Sequence, residues 1–433
     1  MRHAFVRLSC VVLFLAIFGC GRVDRHSETV ELWHWMTDRD ETLQKLARQY
    51  EQETGVRVHV ELFAPSDAYS NKIIAAAQAN VLPDIFGLLD KKPIVASFIK
   101  AGFVEDLTPA FEADGGAWQA ELFPPAVDTN RFLPGNVEGV KPGIYGVPID
   151  LTNIQLVFNR TLLKKAGIAE PAKTLDGFLE QVATLRRVGV TPFVSGFGEI
   201  WLVDCFASNY AFNILGEEKV MRTFQGEVPY TDSGWIEVLR VFDRLARAGA
   251  FMEGIVTKGN KYAEQDFALE RAAFAFNGSW CVNVYHDMNP ALDYGVTTLP
   301  AADPLLPMRS WGGAGSSFVV SAHGPNKEKA IAFLHWITRR DQQIVLTHET
   351  YNLPSNREAV VALPEVLGGF LRTMAHTTHP MIWSHSEDPV VVEALDKGIQ
   401  AIIIGDATPE EIAARVQKVK EQQLRKLRRP GGF

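Results

Sequence analysis

The stretch "VELWHWMTDRDETLQKLARQYEQETGVRVHVELF", residues 30–63, decides the fold. Its two ends alternate apolar and polar residues, which is typical of strands with one buried face. Between these ends, apolar residues recur at the spacing of one helix face: Leu43, Leu46, Ala47 and Tyr50. We expect Asp38 or Asp40 to cap this helix and Gly55 to end it. The stretch therefore predicts a β-α-β unit.

The same alternation continues along the chain. Further strands are predicted at "DIFGLL" (84–89) and "NIQLVFN" (153–159). Further helices are predicted over 67–80, 91–101, 161–166 and 174–187. This order favours doubly wound α/β domains. Between them, "IYGVPID" (144–150) contains Gly146 and Pro148, which suit a segment crossing between domains better than a central strand.

Length, composition and charge exclude some classes of protein. A chain of 433 residues, 47% hydrophobic and 22% charged, is long enough for about two to three domains with cores of their own. The formal net charge is −8. No basic face interleaved with aromatics is present, so no nucleic-acid partner is expected. The basic residues of 418–429 suit a solvated helix end.

The N-terminus has the pattern of an export signal. Arg2, His3 and Arg7 precede the apolar run "LSCVVLFLAIF" (8–18), which is too short to span a bilayer. The following "IFGC" resembles a bacterial lipobox, which implies a lipoprotein signal peptide at 1–19 and a lipid on Cys20. The alternative is that Cys20 is a free or cleaved-off thiol. We expect an exported protein anchored at the periplasmic or cell-surface face of a membrane.

Other site chemistry is sparse in this sequence. Phosphate-binding GxxxxGK[ST], HExxH, GxSxG and CxxC patterns are missing, so no cofactor and no enzymatic activity are predicted. His376, His379 and His385 have the spacing of a loop rather than of a helical ligand pair, so no metal is predicted. Cys205 and Cys281 could form one disulfide or remain two buried thiols.

Six motifs along the chain resemble landmarks of one protein family. They are "PDIF" (83–86), "YGVPID" with "LVFNR" (145–160), "KTLDGFLEQVATLRRVGVTPF" (173–193), "AAFAFNGSW" (272–280), "YGVTTLP" (294–300) and "GPNKEKAIAFLHWIT" (324–338). In this order they resemble the bacterial family 1 extracellular solute-binding proteins, which include the maltose-binding protein. The resemblance extends over about 28–425.

The resemblance implies an α/β fold of two doubly wound lobes joined by a multi-strand hinge, the type II periplasmic binding protein arrangement. It implies a first lobe of 28–147 plus 299–340 and a second lobe of 148–298 plus 341–425. The hinge is expected near 145–150 and 296–300. Solute would be held in the cleft between the lobes.

The resemblance also implies a set of ligand-binding residues in this cleft. They are Trp35, Asp84, Asp150, Asn153, Trp201, Trp280, Trp311, Gly312 and Trp383. Aromatic faces stack on the C–H faces of pyranose rings, and polar groups take sugar hydroxyls. Alternatively, the tryptophans are packing residues, Asp84 caps its strand, and Asp150 is a hydrogen-bonding residue of the hinge.

The leading functional hypothesis is a monomeric, lipid-tethered protein that binds a sugar or oligosaccharide and delivers it to the permease of an ATP-driven (ABC) importer. One alternative is a secreted carbohydrate-active enzyme, for which no carboxylate pair stands out. Another is a ligand-sensing subunit for a membrane receptor. The resemblance itself names no particular sugar.

Overall fold

The structure is a computed structural model. It describes residues 28–89, 92–136, 138–372, 374, 376–378 and 387–427. Cys20, Trp383, His379 and His385 lie outside these residues, and with them the predictions of lipidation and of one cleft aromatic.

The strands of the described residues are β1 Val30–His34, β2 Val58–Leu62, β3 Ile85–Gly87, β4 Arg131–Phe132, β5 Gly143–Ile144, β6 Val147–Pro148, β7 Asp150–Asn159, β8 Phe193–Val194, β9 Phe274–Gly278, β10 Tyr294–Thr297, β11 Trp311–Ala314, β12 Ser317–Val320 and β13 Leu353–Pro354. The strands predicted at the two ends of 30–63, at 84–89 and at 153–159 are confirmed.

The α-helices of the described residues are α1 Asp40–Thr54, α2 Ser66–Gln78, α3 Lys92–Lys100, α4 Thr108–Glu112, α5 Ala117–Glu121, α6 Pro124–Thr129, α7 Arg160–Lys165, α8 Leu175–Arg187, α9 Ile200–Phe224, α10 Ser233–Arg247, α11 Asn260–Ala268, α12 Cys281–Met288, α13 Lys327–Ile337, α14 Arg340–Thr350, α15 Glu365–Leu371, α16 Pro389–Ile403 and α17 Pro409–Leu427. Among them, no helix has both the length and the apolar character that a membrane crossing requires.

The β-α-β unit at the start of the fold is confirmed in all but its cap. Helix α1 buries the predicted face and ends at Gly55, whose φ of 75° is the left-handed conformation that glycine adopts without strain. The residue before the helix is Arg39, which makes no side-chain cap. Asp40 is instead the first helical residue, and its carboxylate lies 3.0 Å from Nε2 of the buried His34.

The first sheet has the order β2-β1-β3-β12-β6, with β1, β2 and β3 parallel and β12 antiparallel to β3 and β6. Helices α1, α13 and α14 cover one face, where Leu43, Phe333 and Leu346 share a core. Helices α2 and α3 cover the other face. This is one doubly wound lobe. Trp35 follows β1 at its carboxyl edge, and the chain leaves the lobe at the same edge after Pro148.

The second sheet is built around β7, whose ten residues are all buried. One side of β7 pairs with β9 and β13, and the other pairs with β10 and β11. Helices α8, α9, α10 and α16 pack on one face, and α11, α12 and α15 pack on the other. A second lobe with helices on both faces of a sheet results.

Three connections join the two sheets within the described residues. The first runs from β6 to β7 and the second from β11 to β12. The third runs from α14 through β13 to α15. The multi-strand hinge is therefore confirmed, and its first connection lies within the expected 145–150. The expected crossing at 296–300 is wrong, because β10 stays paired with β7 and the chain crosses at 314–317.

The packing also differs from two predicted lobe boundaries. Leu299, Met308 and Trp311 pack with the core of the second sheet, so 299–314 does not join the first lobe. Leu346 of α14 lies in the core of the first sheet, so the chain past 340 does not yet join the second lobe. In both cases, the apolar side chains of a connecting segment decide which core it joins.

Cys205 and Cys281 are both buried and both free, so the alternative of two thiols is confirmed.

Candidate functional site

The first sheet and the second sheet each turn one edge towards the connections. In the first sheet this is the carboxyl edge of β1, β2 and β3, because β6, which ends there at Pro148, runs parallel to them. In the second sheet it is the edge where β9 ends, because Gly278 pairs with Ile154 near the start of β7. We call the space bordered by these two edges the interlobe region. In open α/β sheets, ligands bind outside the carboxyl ends of the strands.

Trp280 lies at the second-sheet edge of the interlobe region. It follows the last residue of β9 by two positions, and its half-buried ring packs on the second core. A Cβ added to Gly278 would lie 2.0 Å from a ring carbon of Trp280, so the indole rests directly on the glycine. The "NGSW" turn therefore needs glycine for close packing of the ring.

Glu264, on the buried side of Trp280, fixes the orientation of the indole ring. This side chain of α11 is fully buried, and its Oε1 accepts hydrogen bonds from Trp280 Nε1 at 2.9 Å and Asn260 Nδ2 at 2.8 Å. Its Oε2 lies 3.1 Å from the ammonium of Lys261. A buried carboxylate that is paired and hydrogen-bonded holds its partners in one geometry.

Trp201 stands beside Trp280 at the start of α9. Its side chain is 40% exposed, and its Nε1 donates to Glu199 Oε2 at 2.9 Å. Glu199 also accepts from the Asn260 backbone N–H at 2.7 Å. The two ring centroids are 5.9 Å apart with the planes tilted by 53°. We call Trp201 and Trp280 the tryptophan pair; because carboxylates take both indole N–H groups, the pair offers its ring surfaces.

Asn153, Trp311 and Gly312 lie on adjacent strands beside the tryptophan pair. Gly312 pairs with Asn153 and Trp311 with Ile154 across β11 and β7. Asn153 is fully buried, and its carbonyl accepts from the Ser279 N–H at 2.9 Å. A Cβ on Gly312 would lie 2.9 Å from Asn153 Nδ2, so this glycine makes room for the asparagine.

Trp35 lies on the first-sheet edge. The centroid of its half-buried ring is 5.3 Å from the ring centroid of Tyr69. The ring also covers Gly87, where an added Cβ would lie 2.1 Å from a ring carbon of Trp35. Each lobe thus places one tryptophan over a glycine at the end of a strand, Trp35 over Gly87 and Trp280 over Gly278.

Asp150 lies between the two lobes, at the start of β7. It is 4% exposed and forms an ion pair with Arg39, which is 8% exposed. Burial raises the pKa of Asp150 to about 6, and Arg39 opposes that effect. This geometry matches the alternative in which Asp150 is a hydrogen-bonding residue of the hinge.

Asp84 is not brought together with the other candidates. It precedes β3 and therefore lies at the amino edge of the first sheet, opposite Trp35. Its carboxylate accepts from the Glu31 N–H at 3.0 Å and the Asn326 N–H at 3.2 Å. The structure thus places Asp84 as a buried acceptor that ties β3 to β1 and to the start of α13.

Three residues of this region were not among the predicted ones: Arg39, Glu199 and Glu264. Arg39 lies between two aspartates and looks like the exposed start of a helix in the sequence. Glu264 is followed by Gln265 and Asp266, which look equally solvated. Glu199 ends the turn "GFGE" (196–199), two residues before Trp201, and this turn is the local signal that could have identified it. In the described part of the chain, no cluster of three or more His, Cys, Asp or Glu side chains could hold a metal.

Residues 33–344 match the family described as "Bacterial extracellular solute-binding protein". The chain belongs to this family. The match begins within β1, ends before β13 and includes all the candidate residues from Trp35 to Gly312.

Two curated relatives of this solute-binding protein are named for the sugars that they bind. It is 23% identical over 325 residues to the melibiose/raffinose/stachyose-binding protein MelE of Bacillus subtilis, an alignment of 70% of this chain and 69% of that protein. It is 22% identical over 380 residues to a maltooligosaccharide ABC transporter solute-binding lipoprotein of Streptococcus pneumoniae, with 83% and 82% covered.

Solved structures share the fold of this solute-binding protein. A chitin oligosaccharide binding protein superposes with a TM-score of 0.73 at 22% identity, covering 92% of this chain and all of the other. The solute-binding protein RafE in complex with raffinose gives 0.72 at 18% identity, with 90% and 98% covered. The fold class is that of the two-lobed, type II periplasmic binding proteins.

Proposed function

We propose that this solute-binding protein captures a sugar or oligosaccharide in the interlobe region and delivers it to the permease of an ABC importer. The tryptophan pair is the observation that carries the proposal. Its two ring faces are fixed by buried or partly buried carboxylates and are tilted by 53°, which suits the C–H faces of pyranose rings. Relatives named for raffinose, melibiose and maltooligosaccharides support the ligand class.

The proposed mechanism is closure of one lobe on the other. A solute between Trp35 and the tryptophan pair contacts both lobes only when they approach each other, so its binding shifts the population towards the closed form. The three connections are the segments whose backbone torsions change during this rotation. The permease would then recognise the closed form.

The function proposed is binding without catalysis. Glycoside hydrolysis by a carboxylate pair needs one carboxyl group free to protonate the leaving oxygen and a second free to attack the sugar or to activate water. Here Glu199 and Glu264 each accept an indole N–H and a second protein donor. We expect raffinose, maltotriose and chitotriose to be recovered intact after prolonged incubation, and chromatographic detection of cleaved sugar would contradict this.

A thermal-shift screen with raffinose, maltotriose and chitotriose tests the ligand class. A sugar present at about 100 times its dissociation constant stabilises the folded protein by about 2.7 kcal/mol. Small-angle scattering with that sugar should then give a smaller radius of gyration than without it. A sugar that binds tightly and leaves the scattering unchanged would contradict lobe closure.

A lipid on Cys20 is proposed to hold the exported protein at the membrane as a monomer. The support is the apolar run of 8–18 followed by Gly19 and Cys20. Cys20→Ser should abolish metabolic labelling with a fatty acid. Labelling at the wild-type level in that variant would contradict the anchor.

A further inference from the structure

The guanidinium of Arg39 lies where the three connections meet. Nη1 donates to Ser316 Oγ at 2.9 Å and also contacts the carboxylate of Asp150. Nη2 donates to Asn352 Oδ1 at 2.9 Å. We call Arg39, Asp150, Ser316 and Asn352 the joint.

Arg39 also contacts Asp38 and Met36 beside it in the chain, but its three partners in the joint belong to three different connections. Asp150 begins β7 after β6, Ser316 lies between β11 and β12, and Asn352 lies between α14 and β13. Arg39 itself precedes α1 of the first lobe. One side chain therefore ties all three connections to the first lobe.

Two of these connections are also tied to each other directly, and Asn352 is held within its own. Asp150 Oδ1 accepts from the Ser316 N–H, and the Gly315 N–H donates to the Asp150 carbonyl at 3.1 Å. A Cβ on Gly315 would lie 2.7 Å from Asp150 Oδ1, so the carboxylate packs directly on that backbone. Asn352 Nδ2 in turn donates to the Thr350 carbonyl at 3.0 Å.

A buried ion pair contributes little net stability, because desolvation of both charges offsets their attraction. What the planar guanidinium does supply is several donors in a fixed geometry. We propose that Arg39 is a positioning residue that holds the three connections at fixed spacing, so that the lobes rotate about one common pivot. This inference rests on the proposed lobe closure and adds the residue that keeps the two sides of the sugar site aligned.

Amide hydrogen exchange of the sugar-free protein tests the joint. The variant Arg39→Met with Asp150→Asn removes both charges of the pair together and keeps an acceptor for the Ser316 N–H. We expect exchange about tenfold faster or more at 148–151, 314–317 and 350–353 together, with the amides of β1 and β9 unchanged. The same variant should show a broader small-angle scattering distance distribution without sugar.

A matched control changes an ion pair within one lobe. Arg160 and Asp293 form a pair at 3.0 Å with 46% and 60% of their side chains exposed. Arg160→Met with Asp293→Asn should leave exchange at all three connections at the wild-type rate. Arg39→Lys provides a second test if the double variant does not fold. Lysine keeps the charge but loses the two guanidinium nitrogens that contact separate connections. This variant should therefore speed amide exchange at 314–317 and 350–353.

Faster exchange at only one connection, uniform acceleration over the whole protein, or wild-type rates in the Arg39→Lys variant would each overturn the proposal. The measurement contains no sugar. Failure of the joint is therefore distinguishable from failure of the proposed function, which the thermal-shift screen decides separately.

Discussion

Buried carboxylates support both the joint and the tryptophan pair, but they do so in different ways. At the joint, Asp150 faces the charged Arg39, and both side chains are almost fully buried. At the tryptophan pair, Glu264 is buried beneath a ring, and 40% of Trp201 is exposed. In both places the acids hold protein groups, whereas the surface that we propose for a solute is aromatic. Asp150 and Glu264 thus hold other protein groups in position.

The largest expected effect concerns the joint and pH. The pKa of Asp150 is about 6 in the folded protein, above its ordinary value of 3.8, because burial outweighs the attraction of Arg39. The folded state therefore holds this proton more tightly than the unfolded state. The stability that protonated Asp150 contributes is complete below about pH 4 and is lost as pH rises through about 6.

Denaturant unfolding between pH 4.5 and 7.5 measures this contribution. The stability of wild type relative to Asp150→Asn should fall with rising pH, by about 3 kcal/mol at most. The exposed carboxylate variant Asp293→Asn serves as the control. A difference between wild type and Asp150→Asn that is the same at every pH would show that the joint does not exchange a proton in this range.

The next effect concerns the tryptophan pair. Trp280→Ala removes one ring face, which contributes about 1 to 3 kcal/mol on a stacked sugar. We expect about 10-fold to 100-fold weaker binding by calorimetry of the sugar that the thermal-shift screen selects. Met288→Ala, at the far end of α12 and 40% exposed, is the control and should bind normally. If Trp280→Ala binds the sugar with wild-type affinity, the ring of Trp280 is not part of the binding surface.

A smaller effect is expected from displacing the ring while keeping it. In Gly278→Ala the new Cβ would lie 2.0 Å from Trp280, so the indole must shift. Overpacking of this kind costs about 1 to 3 kcal/mol, shared between stability and binding, so we expect about 3-fold to 10-fold weaker sugar binding. Gly368→Ala is the matched control, because a Cβ there meets no atom within 4 Å. Equal affinities for the two alanine variants would mean that the ring position is unimportant.

The smallest effect on binding is expected at Asp84. Asp84→Asn keeps one carbonyl oxygen at the amino edge of the first sheet and should cost about 1 kcal/mol of stability through a weakened hydrogen bond to a backbone N–H. Sugar affinity should be unchanged within the error of calorimetry. A clear loss of affinity would return Asp84 to the ligand-binding residues that the sequence predicted.

Local elements of the fold could be predicted because their signals are local. The spacing of Leu43, Leu46 and Tyr50 identifies a helix face, and Gly55 its end, without knowledge of the rest of the chain. The choice of core for 299–314 could not be predicted in this way. It depends on whether Met308 and Trp311 pack on the second lobe, which no neighbouring residue determines.

The places of the candidate residues were predictable where strand ends carry aromatic residues and less so for charged groups. Trp35 and Trp280 follow strands, so the topology places them at the edges bordering the interlobe region. Asp84 precedes its strand, and that order already indicates the amino edge of a parallel sheet. Arg39 reaches Ser316, 277 residues away in sequence, and such a partner leaves no local signal.

The burial of Cys205 and Cys281 makes it practical to measure the motion of the lobes with dye labels. Burial raises the pKa of both Cys205 and Cys281 well above the usual value, so hardly any reactive thiolate forms at neutral pH. Maleimide dyes should therefore leave Cys205 and Cys281 unlabelled while the protein stays folded. A pair of surface cysteines at Arg48 in α1 and Lys164 in α7, both exposed and in different lobes, would accept fluorophores selectively. Single-molecule energy transfer between the dyes can then follow opening and closing with the native core intact.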